Sequence, residues 1–295
     1  MNRLLIGGLA ATLWVAVAAP ARAQTQQADV PTLLTRVRAY LDTYRSDLAY
    51  VIADEDSTQR INRQVPAEPR AKTTRHTRGE IHFRVIGTMQ AWIAVRDVTT
   101  VDGAPVEDRA DLRGALDTRS IEDVVRDFKA SNSRFNIGRT QRNFNEPTLA
   151  LGLLEPARYD TLTFEIRRRR TEADVTLVTL AFREISSALP FVVDLKHGHA
   201  PVDGEFVVEE ATGRIRSSRL RIRLETGPSE AVLTTEYGHD TKLDLWVPTV
   251  FRETYETGTE QRAARGEYNQ IAFESIYCES RYTNVRRFQV TSRIR

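Results

Sequence analysis

After residue 160 the chain reads almost entirely as extended segments cut by short turns, and that pattern decides the fold class. Residues 162–169 and 175–183 face each other across Thr171-Glu172-Ala173-Asp174. Residues 205–210 and 215–224 do so across Thr212-Gly213, and 231–237 and 243–247 across Gly238-His239-Asp240. Further strands are expected over 249–256, 269–278 and 281–294. Antiparallel neighbours can be joined by turns this short, whereas parallel neighbours need a crossover of a dozen or more residues. A doubly wound parallel sheet is therefore excluded. Leu220, Ile222 and Leu224 fall on one face of their strand and Arg219, Arg221 and Arg223 on the other, so one side is dry and one wet. About ten or eleven strands of this kind make an open sheet that must curl or be covered.

The first half supplies a cover. Asp29 is placed to cap a helix whose first turn holds Pro31, and Leu33, Val37, Tyr40, Leu41, Tyr44 and Leu48 recur at steps of three and four, giving one apolar stripe. From Leu48 the period shortens to two, and a strand runs into the polar segment 54–60. Residues 64–78, with Pro66, Pro69 and a run of basic side chains, read as a solvated loop. A hairpin over 80–86 and 91–98 turns at Gly87-Thr88, and Asp102-Gly103 marks the next turn. Residues 107–117 and 120–131 read as helices, the second opened by a capping box of Ser120 and Asp123, and 149–154 as a third short one. The expected object is one α+β domain over 24–295: a large curved antiparallel sheet, or half-barrel. Its concave side is covered by the N-terminal helix and a central helical insert at 107–155.

Residues 1–23 carry the parts of a secretory signal: Arg3, an apolar run over 4–19, then Pro20 and the small-residue site Ala21-Arg22-Ala23. The processed chain is expected to begin at Gln24, to be periplasmic or secreted, and to have no transmembrane segment once the signal is cleaved. Removing Arg3 and Arg22 from the 42 basic residues balances the 40 acidic ones, so no global field steers the protein to nucleic acid. The single cysteine, Cys278, can make no internal disulfide, and its strand-like surroundings predict a buried thiol acting as a small hydrophobe.

No Walker loop, dinucleotide glycine fingerprint, nucleophile elbow or His-Glu-x-x-His helix occurs after the signal, so no catalytic residue and no cofactor is expected. The sharpest cluster with metal-binding chemistry is Asp194-Leu195-Lys196-His197-Gly198-His199. On extended chain His197 and His199 face the same side and could share a metal, with a third ligand from Asp194, His76, His82 or His239. Against this, Gly198 and Pro201 make a loose segment whose ordering opposes binding. Arg167 to Arg170 reads as a solvated edge, because alternation sends its members to opposite faces. Arg96, Asp97 and Arg109 read as an ion-pair cluster that holds the insert. Trp92, Trp246, Phe251 and Tyr255 are core aromatics by default, and would line a cavity if the sheet encloses one.

Several segments carry a resemblance. Trp92-Ile93-Ala94-Val95-Arg96-Asp97-Val98, Ser133-Arg134-Phe135-Asn136-Ile137-Gly138, Arg142-Asn143-Phe144-Asn145, Leu245-Trp246-Val247-Pro248 and Tyr282-Thr283-Asn284-Val285-Arg286-Arg287-Phe288 resemble blocks that recur in an uncharacterised family of exported bacterial proteins. The order of elements is similar to that of the periplasmic lipoprotein-carrier superfamily, whose half-barrel sheet is lidded by helices around an apolar cavity. That resemblance implies a binding protein for a lipid, an acyl chain or a lipoprotein, with Trp92, Leu243, Leu245, Val247 and Phe251 as the expected ligand contacts. The alternatives are an envelope interaction protein with a fully packed core, and a metal-dependent enzyme using His197 and His199.

Overall fold

The computed structural model describes residues 27–63, 73–86, 91–138, 142, 146–194, 198–224, 229–261 and 270–288. The expected secretory signal over 1–23 and the expected turn at Gly87-Thr88 lie outside the described residues. Helix α1, Val30–Leu48, begins where expected: the Asp29 carboxylate accepts the Thr32 backbone N–H at 2.9 Å. Leu33, Val37, Leu41, Tyr44 and Leu48 are buried along one stripe, and Leu34 beside it is also buried.

Four strands follow: β1 (Val51–Arg63), β2 (Thr74–Ile86), β3 (Ala91–Val101) and the short β4 (Ala104–Pro105). Helices α2 (Leu112–Thr118) and α3 (Ile121–Asn132) come next, then 3-10 turns over Leu149–Leu154 and Pro156–Thr161. The remaining strands are β5 (Leu162–Glu172), β6 (Val175–Glu184), β7 (Val193–Asp194), β8 (Gly198–His199), β9 (Val202–Glu209), β10 (Ile215–Leu224), β11 (Ser229–Asp240), β12 (Leu245–Gln261) and β13 (Gln270–Arg287). Eleven of them form one antiparallel sheet in the order β4-β3-β2-β1-β13-β12-β11-β10-β9-β6-β5, while β7 and β8 pair separately. The seam is the β1–β13 pair, which joins the first strand to the last and carries a Ser280 to Ser57 hydroxyl bond at 2.9 Å across 223 residues of sequence. The α+β half-barrel expectation holds.

Several boundaries differ from the sequence reading. The expected loop over 64–78 does not hold over its last residues, since β2 begins at Thr74 and includes Arg75, His76 and Arg78, while residues 64–72 lie outside the described residues. His76 and Arg78 are held against β1 by Asp56, at 2.5 and 2.9 Å, and cross-strand ion pairs of this kind let charged residues stay in a ladder. Helix α2 starts at Leu112 and not at residue 107. Residues 245–247 and 249–256 belong to a single strand, β12, while Leu243 and Asp244 are in the turn before it; Pro248 sits opposite Tyr237 beside a register shift, where a missing N–H is tolerated. The described parts of 269–278 and 281–294 likewise lie on one strand, β13, which runs from Gln270 to Arg287.

The concave face packs against α1 and the Leu149–Leu154 turn in one continuous core that includes Phe83, Leu180, Phe206, Leu220, Phe251 and Ile276. The insert is divided between the two sides. Its Leu149–Leu154 turn lies in the concave core, while α2 and α3 form a smaller cluster of Leu112, Val124, Val125 and Phe128 on Val95. Val95 alternates with Ala94 of the concave core and so points to the outer face. The helix α1 is tethered at both ends: Arg36 donates to the Glu210 carbonyl at 2.7 Å, the Ala28 N–H to the Glu210 carboxylate at 2.9 Å, and Arg45 pairs with Glu155. The β9–β10 turn presses directly on it. Gly213 has φ +72°, and a Cβ there would lie 2.2 Å from the Arg36 backbone.

Candidate functional site

The five residues expected to contact a ligand all lie in the concave core or against it, Trp92 on β3 and the other four on or just before β12, with β2, β1 and β13 between those strands. Trp92, Leu245, Val247 and Phe251 are buried in the concave core and Leu243 packs against it half-buried. The Tyr44 ring of α1 lies 5.6 Å from Trp92, and the Arg45 guanidinium sits 5.5 Å over the same indole. This helix-to-sheet contact holds polar groups without partners. Among the described residues the Tyr44 hydroxyl, the Trp92 indole N–H and the Thr148 hydroxyl are buried and make no hydrogen bond. Their neighbours are better served: Thr235 and Tyr237 donate to the Pro147 carbonyl at 2.6 and 3.3 Å. Burial pushes the Tyr44 hydroxyl well above the ordinary phenol range, so it stays neutral and can act as a donor.

A second feature of the same face was not foreseen. Along β1 the inward residues are Val51, Ala53, Glu55, Ser57, Gln59 and Ile61, all buried, so the middle of the concave floor is polar. Arg96, inward on β3, donates through Nε to both oxygens of Glu55 at 2.9 and 2.8 Å and reaches the Tyr282 hydroxyl at 3.5 Å. Asp97, next to it, points outward and meets Arg109 at 3.6 Å. The expected cluster of Arg96, Asp97 and Arg109 is thus split by strand alternation: the outer pair ties the insert down by charge, and Arg96 does so through its backbone carbonyl, which accepts from the Asn132 side chain at 2.7 Å.

Arg142 enters this floor from the segment after α3 and is 5% exposed. It donates to the Cys278 sulfur, to the Gln59 side-chain oxygen at 2.6 Å and to the Asn136 side-chain oxygen. Cys278 is 1% exposed, as expected, and burial pushes its thiol up to about 12, with Glu253 adding to the rise and Arg142 opposing it. Glu253 accepts from the Tyr255 hydroxyl at 2.5 Å, and Lys129 pairs with the buried Glu146, whose carboxyl is raised by burial against the pull of that ammonium. A cavity of about 40 Å³ opens here, lined by Ala94, Arg96, Lys129, Asn132, Asn136 and Arg142 among others. The signal in the sequence is the polar run Glu55, Ser57, Gln59 in register with Val51, Ala53 and Ile61. It becomes legible only once β1 is known to lie inside the sheet.

His199 is placed beside Glu184 at 2.9 Å, and Glu184 also accepts the Phe191 and Val202 backbone N–H groups at 3.1 Å each. The carboxylate there holds the chain that leaves β6. His197 lies outside the described residues, and among the described residues no three His, Cys, Asp or Glu side chains gather with the geometry of a metal site. His76 and His239 bind Asp56 and Asp244, and His82 lies on the outer face. Among the described residues no helix is long and apolar enough to cross a membrane.

No protein-family model matches the sequence, and no curated protein does. Among solved structures, the chain is similar to a LolA superfamily protein from Nitrosomonas europaea, at 10% identity over 88% of this chain and 96% of that one, with a TM-score of 0.31. It is also similar to a DUF1329 family protein from Desulfovibrio piger, at 10% identity over 88% and 92% with a TM-score of 0.33. The Mycobacterium tuberculosis lipoprotein LppX matches at 10% identity over 87% and 97% with a TM-score of 0.28. At this identity these are likenesses of fold.

Proposed function

We propose that this is an exported binding protein that holds an apolar ligand, a lipid or the acyl chain of a lipoprotein, between the curved sheet and α1, against Trp92, Leu243, Leu245, Val247 and Phe251. The observation that supports it is the set of buried, unpartnered donors under the helix, Tyr44 and Trp92 foremost. A buried Tyr hydroxyl or Trp N–H ordinarily finds an acceptor, and each one left without costs about 1–3 kcal/mol. A ligand that lifts α1 separates the two donors and opens them to an acceptor, water included, which removes that cost. The helix is suited to lifting, because it meets the sheet through side chains and end tethers and shares no backbone ladder with it. The full burial of Phe251 and Val247 favours the competing reading, an interaction protein whose core is already filled.

The two readings part on native material. Protein purified from its own periplasm, begun at Gln24 by N-terminal sequencing, is extracted with organic solvent and the extract analysed by mass spectrometry. Stoichiometric lipid, together with a rise in melting temperature on adding it back, is the expected result. An extract without lipid, and a melting temperature that no dodecyl compound raises, refutes the carrier reading.

A further inference from the structure

The cavity at the polar end of the concave floor is lined by a buried guanidinium that makes no ion pair among the described residues. Arg96 is matched by Glu55, and Lys129 by Glu146. Arg142 is different: a guanidinium 5% exposed, it bonds a neutral thiol and two neutral amides, and among the described residues it forms no ion pair. Its Nε–H is buried with no acceptor. Glu253 is registered opposite Cys278 and gives a carboxylate oxygen to Tyr255, with no bond to the arginine. A lone buried cation is expensive, and proteins that keep one normally present it to an anion.

The cavity fits such an anion. Its roughly 40 Å³ corresponds to about three water-sized positions, the number of heavy atoms in a carboxylate and fewer than in a phosphate group. Arginine is a planar fork that pairs with carboxylates through two parallel hydrogen bonds, and the Asn132 and Asn136 side chains beside it supply neutral polar contacts. The cavity is not remote from the apolar floor: Ala94, which lines it, lies on β3 between Trp92 and Arg96, all three facing inward on one strand.

We propose that this cavity is a carboxylate site, and that the ligand of the protein is a long-chain fatty acid held by its carboxylate at Arg142 with its chain along the Trp92 side of the floor. The placing of the chain rests on the apolar-ligand reading; the anion site stands on its own residues.

The test compares dodecanoate, dodecanol and acetate by calorimetry and thermal shift on the processed chain and on two variants. Arg142→Met removes the charge at similar length, and Lys129→Gln alters the rim at a side chain that is 40% exposed, with circular dichroism to check that the fold tolerates the buried Glu146 carboxylate it leaves behind. The wild type is expected to bind dodecanoate at least about tenfold more tightly than dodecanol, the worth of one charge-assisted hydrogen bond. In Arg142→Met the order should reverse, because the carboxylate then has to be desolvated without a partner, while dodecanol affinity stays as it was. Lys129→Gln should lower dodecanoate affinity several-fold and leave dodecanol unchanged, which carries the test if Arg142→Met does not fold. Equal binding of acid and alcohol by the wild type overturns the carboxylate site and leaves the apolar-ligand reading in place. Acetate binding that depends on Arg142, with neither dodecyl compound bound, supports the anion site and refutes the apolar reading. Failure of all three ligands overturns both.

Discussion

Truncation of Leu41 to alanine measures how firmly α1 belongs to the sheet. The side chain is 2% exposed in the middle of the buried stripe, so the substitution removes three carbons from an apolar setting. At about 0.8 kcal/mol for each carbon the transfer loss is about 2.4 kcal/mol. The cavity left behind moves the total into the range of about 2–5 kcal/mol, depending on how far α1 settles. Arg38 on the opposite side of the helix is the control. It is 60% exposed and pairs with Asp42 at 3.7 Å, so Arg38→Ala should cost no more than about 0.5 kcal/mol. Urea unfolding followed by far-ultraviolet circular dichroism gives both values. With a slope near about 3 kcal/mol/M, Leu41→Ala should lower the midpoint by about 1 M at unchanged slope, and Arg38→Ala should barely move it. Leu41→Asp, which places an unpaired carboxylate in the same groove, should be largely unfolded or poorly soluble. Equal, small shifts for Leu41→Ala and Arg38→Ala would mean that α1 does not cap the sheet, and the half-barrel account of the concave face would fail.

Three other outcomes follow from particular contacts. His82 is fully buried on the outer face beneath Phe288, near Glu80 and Arg84, and burial and then the Arg84 charge push it down to about 4. The unfolded chain therefore binds a proton between about pH 6.5 and 4 that the folded chain refuses; stability is full above that window and falls through it, by on the order of 3 kcal/mol, and the fall should be absent in His82→Gln. The Cys278 thiol, pushed up to about 12 and buried, should resist a thiol reagent at pH 8 and react only as the protein unfolds; fast labelling of the native protein would contradict its placement. Gly213→Val puts side-chain atoms into the Arg36 backbone at a positive φ, and should speed hydrogen exchange in α1 while leaving β12 and β13 protected; uniform protection would show that the turn does not bear on the helix.

How much of this could be read beforehand differs by element. The α1 stripe and its Asp29 cap are local, and so are the Ala173-Asp174 and Asp102-Gly103 turns, whose central residues all have positive φ. Those were visible because a few neighbouring residues determine them. The continuity of β12 through Pro248 was not, since it depends on what lies opposite the proline in β11. The polar floor was hidden for a similar reason. Glu55 and Gln59 look like a strand leaving the core until β13 is known to lie alongside and Arg96 and Arg142 to arrive from elsewhere. The same limit applied to Arg96, whose partner turned out to be across the floor and not beside it in sequence. Alternation assigns a face to each residue, but the neighbours on that face come from distant strands.

The seam between the first and last strands sets a timetable for folding. Strands β1 to β3 can pair as soon as they are made, and β9 to β12 can form their own meander, but the two groups meet only through β13. Contacts separated by more than two hundred residues pay a large loop-closure cost before they return anything, which places such folds among the slow ones. Throughout that delay the far side of β1 is an open edge, a template for pairing with another chain. The carboxylates of Asp54, Glu55 and Asp56 along it then serve a purpose apart from the finished sheet, keeping that edge unattractive to a second copy until its own partner arrives.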